Sequence, residues 1–563
     1  MTSTLPAVDA SPVPAGRPRA RRRPALTHRP VVRFRSSPTD LALCWTLLAA
    51  IVAVQGWNIG AYPTFSDDEG TYLAQAWAVQ QGDGLAHYTY WYDHPPVGWM
   101  QLAALTWLPA QFAPETMTVG TMRLAMLIVA AISAVLVYVL ARRLWLPRWS
   151  AGLAMALFGL SPLAVNLQRQ IFLDNIAVLW MLLAFCLAAS PNRHLWHHFA
   201  AGIAAAIGVL SKETMLLVLP ALLFTMWRFS HRDTRKFAFT GAITSCALIG
   251  FTYPLYALLK GELLPGDDHV SLWDGAAYQM SRPGSGFLLD TSSASHVVLQ
   301  DWLYYDRVLP LGGLAAALLL LATYRWSVTA RALAGPAATV AIFALVALRP
   351  DGYLPAMYVV QALPFLALVL AGSAASITHA LLRRGRRTDE KRLPRGLRIG
   401  LVAALALGAT AYLVPRWYDG NRTALTSDES APYRQAADWM AQRVPDPART
   451  RVLVDDAIWL DLVHAGYRPG DGAIWFYKAD LDPAVTKTLP RGWRDVDYVV
   501  SSRTVRRDAV DLPTVKAALR HSTPVAVFGE GPARVEIRKT TEGAGDAGDA
   551  RGTGGTKGTG DSG

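Results

Sequence analysis

Apolar residues in this chain come in long, almost uncharged blocks, divided by short segments in which arginine is common. A hydrocarbon core of about 30 Å is crossed by about 20 helical residues. Lipid offers the backbone no hydrogen-bond partner, so a crossing block folds as a helix. Residues 41–60 meet that length. The same reading predicts spans at 121–140, 150–167, 174–190, 199–211, 214–227, 237–259, 308–324, 332–348, 354–382 and 397–414. The expectation is a bundle of about 11 helices, the two short blocks at 199 and 214 setting a margin of one or two.

Lysine and arginine set the orientation. One set of alternate loops holds 26 of them: the segment 17–35, then 142–148, Arg193, 228–236, Arg325 with Arg331, and 383–398. Loop 61–120, on the opposite face, has none against six acidic residues. The N-terminus is therefore expected in the cytoplasm, and an odd number of spans places everything after Arg416 outside. Residues 1–40, rich in Pro and Arg, are expected to be a disordered basic segment. Their polar stretch is too long for a secretory signal, and no small-residue cleavage site follows the first block.

The formal charge of +12 would suit nucleic acid if the cations formed a folded patch. They lie between apolar blocks instead and read as topology signals. The partner they imply is the lipid bilayer, with no nucleic acid. Cys44, Cys186 and Cys246 all fall inside apolar blocks, at spacings that suit neither disulfides nor a metal.

Beyond residue 416 the pattern changes. Short apolar runs at 451–456, 473–478, 496–502, 524–529 and 533–539 read as strands, with helices at 431–442, 457–465 and 512–521 between them. That alternation predicts a small extracytoplasmic α/β domain over 416–540. Residues 541–563, rich in Gly, Thr and Asp, read as a disordered tail. No internal repeat is found. The fold class expected is mainly α, a polytopic transmembrane helical bundle with this α/β domain at its C-terminal end.

Three features of the loops facing outward carry chemistry. Loop 61–120 begins with Ser66, Asp67, Asp68, Glu69 and Gly70. Ser66 and Glu69 have capping-box spacing, and acids suit a helix N-terminus, so a structural reading stands ready. Three adjacent acids exceed what one cap requires, and a carboxylate just above a membrane suits a general base that takes a proton from an attacking hydroxyl. Next come Asp93, His94, Pro95 and Pro96, in which the prolines force an extended chain before a helix near 97–108. The aromatic run Tyr88, Tyr90, Trp91, Tyr92 reads first as an interface belt. Last, Arg169 and Asp174 join two spans, and Lys212 with Glu213 repeats the situation. A cation there runs against the positive-inside trend, which calls for a paired acid or a bound anion. Lys212 and Arg169 together suggest a phosphate site, and Arg349 is a further cation of the same kind.

An Asp-Glu pair early in the first outer loop, then His-Pro-Pro, then Arg-x-x-x-Leu-Asp between two spans, resembles the protein O-mannosyltransferase superfamily. The broader likeness is to GT-C class membrane glycosyltransferases, including the aminoarabinose transferases, and covers residues 41–382. The resemblance implies a polyprenyl-phosphate-linked sugar donor, an inverting transfer and Asp68 as the base, with Asp67 an extra acid beside it. It carries the motif arginine to Arg169, the motif aspartate to Asp174 and the motif histidine to His94. Val97, Gly98, Trp99 and Met100 follow the prolines, where the mannosyltransferases often carry a cation.

The expected activity is thus transfer of a sugar from a polyprenyl-phosphate donor to a hydroxyl acceptor on protein, lipid or cell-wall glycan. Asp68 takes the proton, and Glu69 and Asp67 complete the catalytic acids. Arg169, Lys212, His94 and Arg349 bind the donor phosphate or substrate, supported by Asp93, Asp174 and Glu213. No cofactor is demanded. A divalent metal ion near the acids is compatible with the residues, although no His, Asp and Glu spacing requires one. A flippase for lipid-linked sugars and a non-catalytic cell-envelope scaffold are the alternatives, the former disfavoured by the lack of repeats.

Overall fold

The computed structural model describes residues 37–85, 88–90, 92–113, 117–266, 269–350, 352–382 and 394–541. The readings made for the first 36 residues, for 542–563 and for Trp91 lie outside the described residues. The N-terminal half runs through α1 (Pro38–Gly56), α2 (Asp67–Gln81), α3 (Val97–Phe112), α4 (Val119–Arg143), α5 (Arg148–Leu160), α6 (Pro162–Arg169), α7 (Leu173–Ala188) and α8 (Leu195–Ser211).

Each apolar block is helical, several with changes of form, among them block 354–382, which opens as a 3-10 turn over Ala356–Gln361, and block 308–324, which opens as a π-turn over Val308–Gly312. Block 214–227 opens as a 3-10 turn, Glu213–Val218, before the helix Leu219–Phe229. Block 397–414 extends to Arg395–Thr426, a 32-residue helix that carries Pro415 inside it. Among the described residues, five helices are long and apolar enough to cross a membrane unaided. The number becomes seven if two bent pairs count as single spans: α5 with α6, bent by 57°, and Ala294–Tyr305 with Val308–Ala322, bent by 103°. Pro162 explains the first break, since it has no N–H to continue the ladder of α5. Helices Leu272–Ser281 and Ala294–Tyr305 lie in a connection that the hydropathy pattern leaves blank.

Charge marks one end of the bundle. Buried Asp40, at the start of α1, takes Arg142 at 3.0 Å and Arg148 at 2.9 Å. The arginine-rich connection after α4 thus sits at the end where α1 begins.

Five strands form one mixed sheet: β1 (Val452–Val454), β2 (Ala473–Trp475), β3 (Tyr498–Ser501), β4 (Ser522–Phe528) and β5 (Val535–Thr540), in the order β2-β1-β3-β5-β4. β1 is parallel to both β2 and β3, and β5 is antiparallel to β3 and β4. β1 and β2 are buried along their whole length, as strands covered on both faces must be. Leu453, Ile474 and Val499 pack on one side with Val505 and Val515. On the other side Val452, Trp459 and Trp475 share a core with Tyr72 of α2 and Trp99 of α3. The sheet domain is therefore fused by apolar packing to the helices of the first loop.

The three described tyrosines of the aromatic run do not form the expected interface belt. Tyr90 and Tyr92 are buried in that shared core, and Tyr88 stacks on Trp459 with ring centres 6.3 Å apart. An interface belt would need their faces in lipid headgroups, and a sugar platform would need them in a cavity.

Candidate active site

Two buried arginines shape the loop that leads into α2. Arg123, on α4, donates to the carbonyls of Ile59 at 3.2 Å and Pro63 at 2.7 Å. It also grips Glu69 through both nitrogens of one edge, Nε to Oε1 at 2.8 Å and Nη2 to Oε2 at 2.6 Å. Arg169, at the end of α6, donates to the carbonyls of Val54 at 2.7 Å, Trp57 at 2.9 Å and Ala424 at 3.0 Å. These carbonyls come from the end of α1, the loop after it and the end of the 32-residue helix. A planar fork of five donors suits such carbonyl clusters, and residues 54–65 are held from both sides.

Two expectations are corrected by these contacts. Arg169 neither pairs with Asp174 nor faces a cavity: it is fully buried, with Nη1 and Nη2 donating to backbone carbonyls and Nε buried without a hydrogen-bond partner among the described residues. Glu69 is likewise fully buried. Besides Arg123, it accepts from the N–H of Ser66 at 3.2 Å and of Ile171 at 2.9 Å. Its capping-box spacing matches this contact, and both its oxygens are taken by protein donors.

Asp68 takes the other direction. Adjacent residues on a helix point about 100° apart, and Asp68 turns from the packed side towards a cavity of about 1360 Å³. The cavity opens at the end of the bundle opposite Asp40. Asp67 lines it as well, its carboxylate accepting from the Ser66 hydroxyl at 3.2 Å. Burial, reinforced by Asp67 and Asp174 against Lys212 and His94, pushes the Asp68 carboxyl up to about 7. A base tuned to that range is half-ionised near neutral pH and accepts a proton readily.

His94 and Lys212 face Asp68 across the same cavity. Lys212 stands at the end of α8, where an extended backbone (φ −155°, ψ 114°) stops the helix. Its Nζ lies 2.8 Å from His94 Nε2 and 4.0 Å from Asp174 Oδ2. His94 Nδ1 is 3.1 Å from Glu213 Oε2. A lysine ammonium has no acceptor to offer, so His94 presents the Nε2 lone pair to Lys212 and its Nδ1–H to Glu213. Burial and Lys212 disfavour the charged imidazole, yet Glu213 outweighs them and leaves the His94 pKa above its ordinary value. Asp174 is buried at the start of α7 and accepts from Gln361 Nε2 at 2.6 Å. The structure thus joins Asp68, His94, Asp174, Lys212 and Glu213, which sequence placed on three separate loops.

Arg349 reaches the cavity from the loop after Ala334–Ala347, and its Nε donates to the Val346 carbonyl at 3.1 Å. Asp93 does not line this space. It faces a separate cavity of about 380 Å³ beside His269 and Asp274, and one of its carboxylate oxygens is buried with no hydrogen-bond partner among the described residues. Those described residues hold no group of three or more His, Cys, Asp or Glu side chains arranged to take a metal ion.

Sequence reasoning missed several residues of the site. Arg123 breaks the positive-inside trend as Arg169 does, two residues into a predicted span, so the same rule would have flagged it. Arg282, stacked 4.0 Å over the Tyr353 ring, and Arg503 and Arg507, on the helix Arg503–Asp508, also line the main cavity. Nothing local in the sequence ties those two to a loop some 400 residues earlier. Apolar side chains of Leu163, Leu167, Leu216, Val346 and Met357 complete the wall nearest the bundle. One chamber therefore offers carboxylates, cations and a greasy flank.

The chain matches a known family, described as dolichyl-phosphate-mannose-protein mannosyltransferase, over residues 85–260. It is 30% identical over 152 residues to an undecaprenyl phosphate-alpha-4-amino-4-deoxy-L-arabinose arabinosyl transferase of Erwinia tasmaniensis. That match covers 25% of this chain and 27% of the relative, so it spans about a quarter of the curated protein. Among solved structures, ArnT from Cupriavidus metallidurans in the apo state superposes with a TM-score of 0.55 at 13% identity, covering 90% of this chain and 99% of that one. The Archaeoglobus fulgidus oligosaccharyltransferase tethered to an acceptor peptide gives 0.52 at 13% identity, with 90% and 74% covered.

Proposed function

We propose, for a multi-pass membrane chain that carries the GT-C fold of the protein O-mannosyltransferase and aminoarabinose-transferase superfamily, that it moves a sugar from a polyprenyl-phosphate donor to a hydroxyl acceptor. The observation that carries this is the shared chamber: Asp68 on one wall, Lys212 and His94 on another, and an apolar flank beside them.

The acceptor hydroxyl approaches Asp68, which takes its proton as the oxygen attacks the anomeric carbon. The carbon–phosphate-oxygen bond breaks on the opposite face, so the configuration inverts, and polyprenyl phosphate departs with the bonding pair. Negative charge grows on that leaving oxygen, and Lys212 with Arg349 stands ready to stabilise it. His94, held between Lys212 and Glu213, keeps the ammonium aimed at the chamber. Asp174, itself held by Gln361, lies 4.0 Å from it. The apolar side chains of Leu216 and Met357 take the first isoprene units of the carrier.

Orientation belongs to the same reading. The arginine-rich connections mark the cytoplasmic face with the N-terminus, and the chamber and the unit over 416–540 stand on the extracytoplasmic face. The test is purified protein in lipid with polyprenyl-phosphate sugars, beginning with the mannose and 4-amino-4-deoxy-L-arabinose donors that its relatives' names suggest. Transfer or slow donor hydrolysis by wild type, lost by roughly 100- to 10,000-fold in Asp68→Asn, supports the assignment. Equal rates in the two proteins would overturn Asp68 as the base.

A further inference from the structure

The helix that carries Asp68 packs along helix Asp456–His464 of the sheet domain, and its first turns meet the start of that helix. A Cβ on Gly70 would lie 2.0 Å from the carbonyl oxygen of Asp456 and 2.5 Å from the nitrogen of Ala457, so the first turn of α2 meets the start of helix Asp456–His464 backbone to backbone. Next to this contact the Thr71 hydroxyl donates to Asp456 Oδ2 at 2.5 Å, and the Tyr477 hydroxyl donates to the same oxygen at 3.0 Å. The other oxygen of Asp456 is buried with no hydrogen-bond partner among the described residues. Further along, Trp459 meets Trp77 edge-on, with centroids 5.8 Å apart.

A second link runs from the same place to the cavity. Asp455 caps that helix through the N–H of Ala457 at 2.9 Å and accepts a short hydrogen bond from the Ser502 hydroxyl. Ser502 in turn caps Arg503–Asp508, the helix that brings Arg503 and Arg507 to the cavity wall. Two neighbouring aspartates therefore tie the base helix on one side and the arginine helix on the other.

Resting on the transferase reading, we infer that Asp456 is a positioning residue for the general base: through Thr71 it fixes the first turn of α2 on the sheet domain and so holds Asp68 in the chamber. Burial, together with Asp455 and Asp67 and against the Thr71 hydrogen bond, raises the Asp456 carboxyl well above the usual carboxylate range. Both hydroxyls donate to the same oxygen, so the contact asks for an acceptor at that position. An asparagine reproduces that acceptor, and an alanine removes it.

The experiment uses the full chain in lipid nanodiscs and compares Asp456→Ala, Asp456→Asn and Thr71→Val. Amide hydrogen exchange reads the hold on α2, and donor kinetics read its consequence. The alanine and valine variants are expected to speed exchange over residues 69–75 while leaving the core of α7 unchanged. Each lowers kcat by up to about 100-fold, the cost of roughly an ångström of misplacement, with donor KM within about twofold. Their double variant falls no further than the worse single, because both delete one hydrogen bond, and Asp456→Asn stays near wild type. Wild-type exchange and wild-type kcat in Thr71→Val overturn the inference, and that variant decides the matter if Asp456→Ala fails to fold. So does Asp456→Asn failing as badly as the alanine, since charge would then be what matters. If wild type transfers no sugar from any donor, the transferase reading falls, while the exchange data still decide whether Asp456 holds α2.

Discussion

Replacing Glu69 separates its role from that of its neighbour Asp68 more sharply than any other change. Glu69 and Arg123 are both fully buried, with two charge-assisted hydrogen bonds at 2.8 and 2.6 Å. Breaking a buried pair from one side costs about 3–5 kcal/mol, because the remaining charge stays in place without a partner. In Glu69→Gln the amide keeps one acceptor, and the carbonyls of Ile59 and Pro63 still take part of the guanidinium, so the loss falls near the lower figure. In Glu69→Ala the N–H groups of Ser66 and Ile171 are orphaned as well, each adding about 1–3 kcal/mol, so the variant is expected to express poorly or not at all. The assay is the denaturation midpoint of purified protein beside its transfer rate, with Asp68→Asn in parallel. Glu69→Gln should lower the midpoint clearly and keep measurable turnover. Asp68→Asn should keep the midpoint and lose turnover. A Glu69→Gln protein with a wild-type midpoint and turnover as low as Asp68→Asn would refute the structural role and place Glu69 among the reacting groups.

Arg169→Ala should destabilise the protein as strongly, and whatever folds should keep its donor KM within about twofold; a selective rise in donor KM would return Arg169 to the phosphate site. Lys212→Met should instead lower kcat by roughly 100-fold, as loss of one charge stabiliser does, in a protein with an unchanged midpoint. The base must be ionised, and its carboxyl sits at about 7, so kcat/KM should fall about tenfold per pH unit below that point and level off above it; a flat profile down to pH 5 speaks against Asp68. Topology is checked in intact cells: exposed Arg520→Cys should react with a membrane-impermeant maleimide, and exposed Arg232→Cys only after permeabilisation.

How much of this was legible before the structure depends on the range of the interactions concerned. Apolar blocks became helices because a helix satisfies its backbone within a few residues and lipid permits little else. The strands at 452–454 and 498–501 were visible as short apolar runs. Glu69 as a cap followed from three-residue spacing. The cations at 169 and 212 stood out because they break a charge rule, yet the rule says only that such a residue needs partners. One arginine found carbonyls from residues 54, 57 and 424, and the lysine found His94. A long side chain's direction is set by neighbours far away in the chain, which no local pattern records.

By itself, then, the sequence determined what local chemistry and the bilayer dictate: a helical membrane bundle, a following α/β unit, a carboxylate-bearing first loop and a likeness to GT-C enzymes. Tertiary structure alone decided that Glu69 is locked on Arg123, a partner no local spacing reveals. It also decided that Arg503 and Arg507 belong to the wall of that chamber, and that the sheet domain grips α2 through Asp456. The physical reason is that burial and hydrogen-bond partnership are properties of surroundings. The surroundings of Asp68 are assembled from segments hundreds of residues apart, brought together only when α2, the ends of the spans and the sheet domain pack into one core.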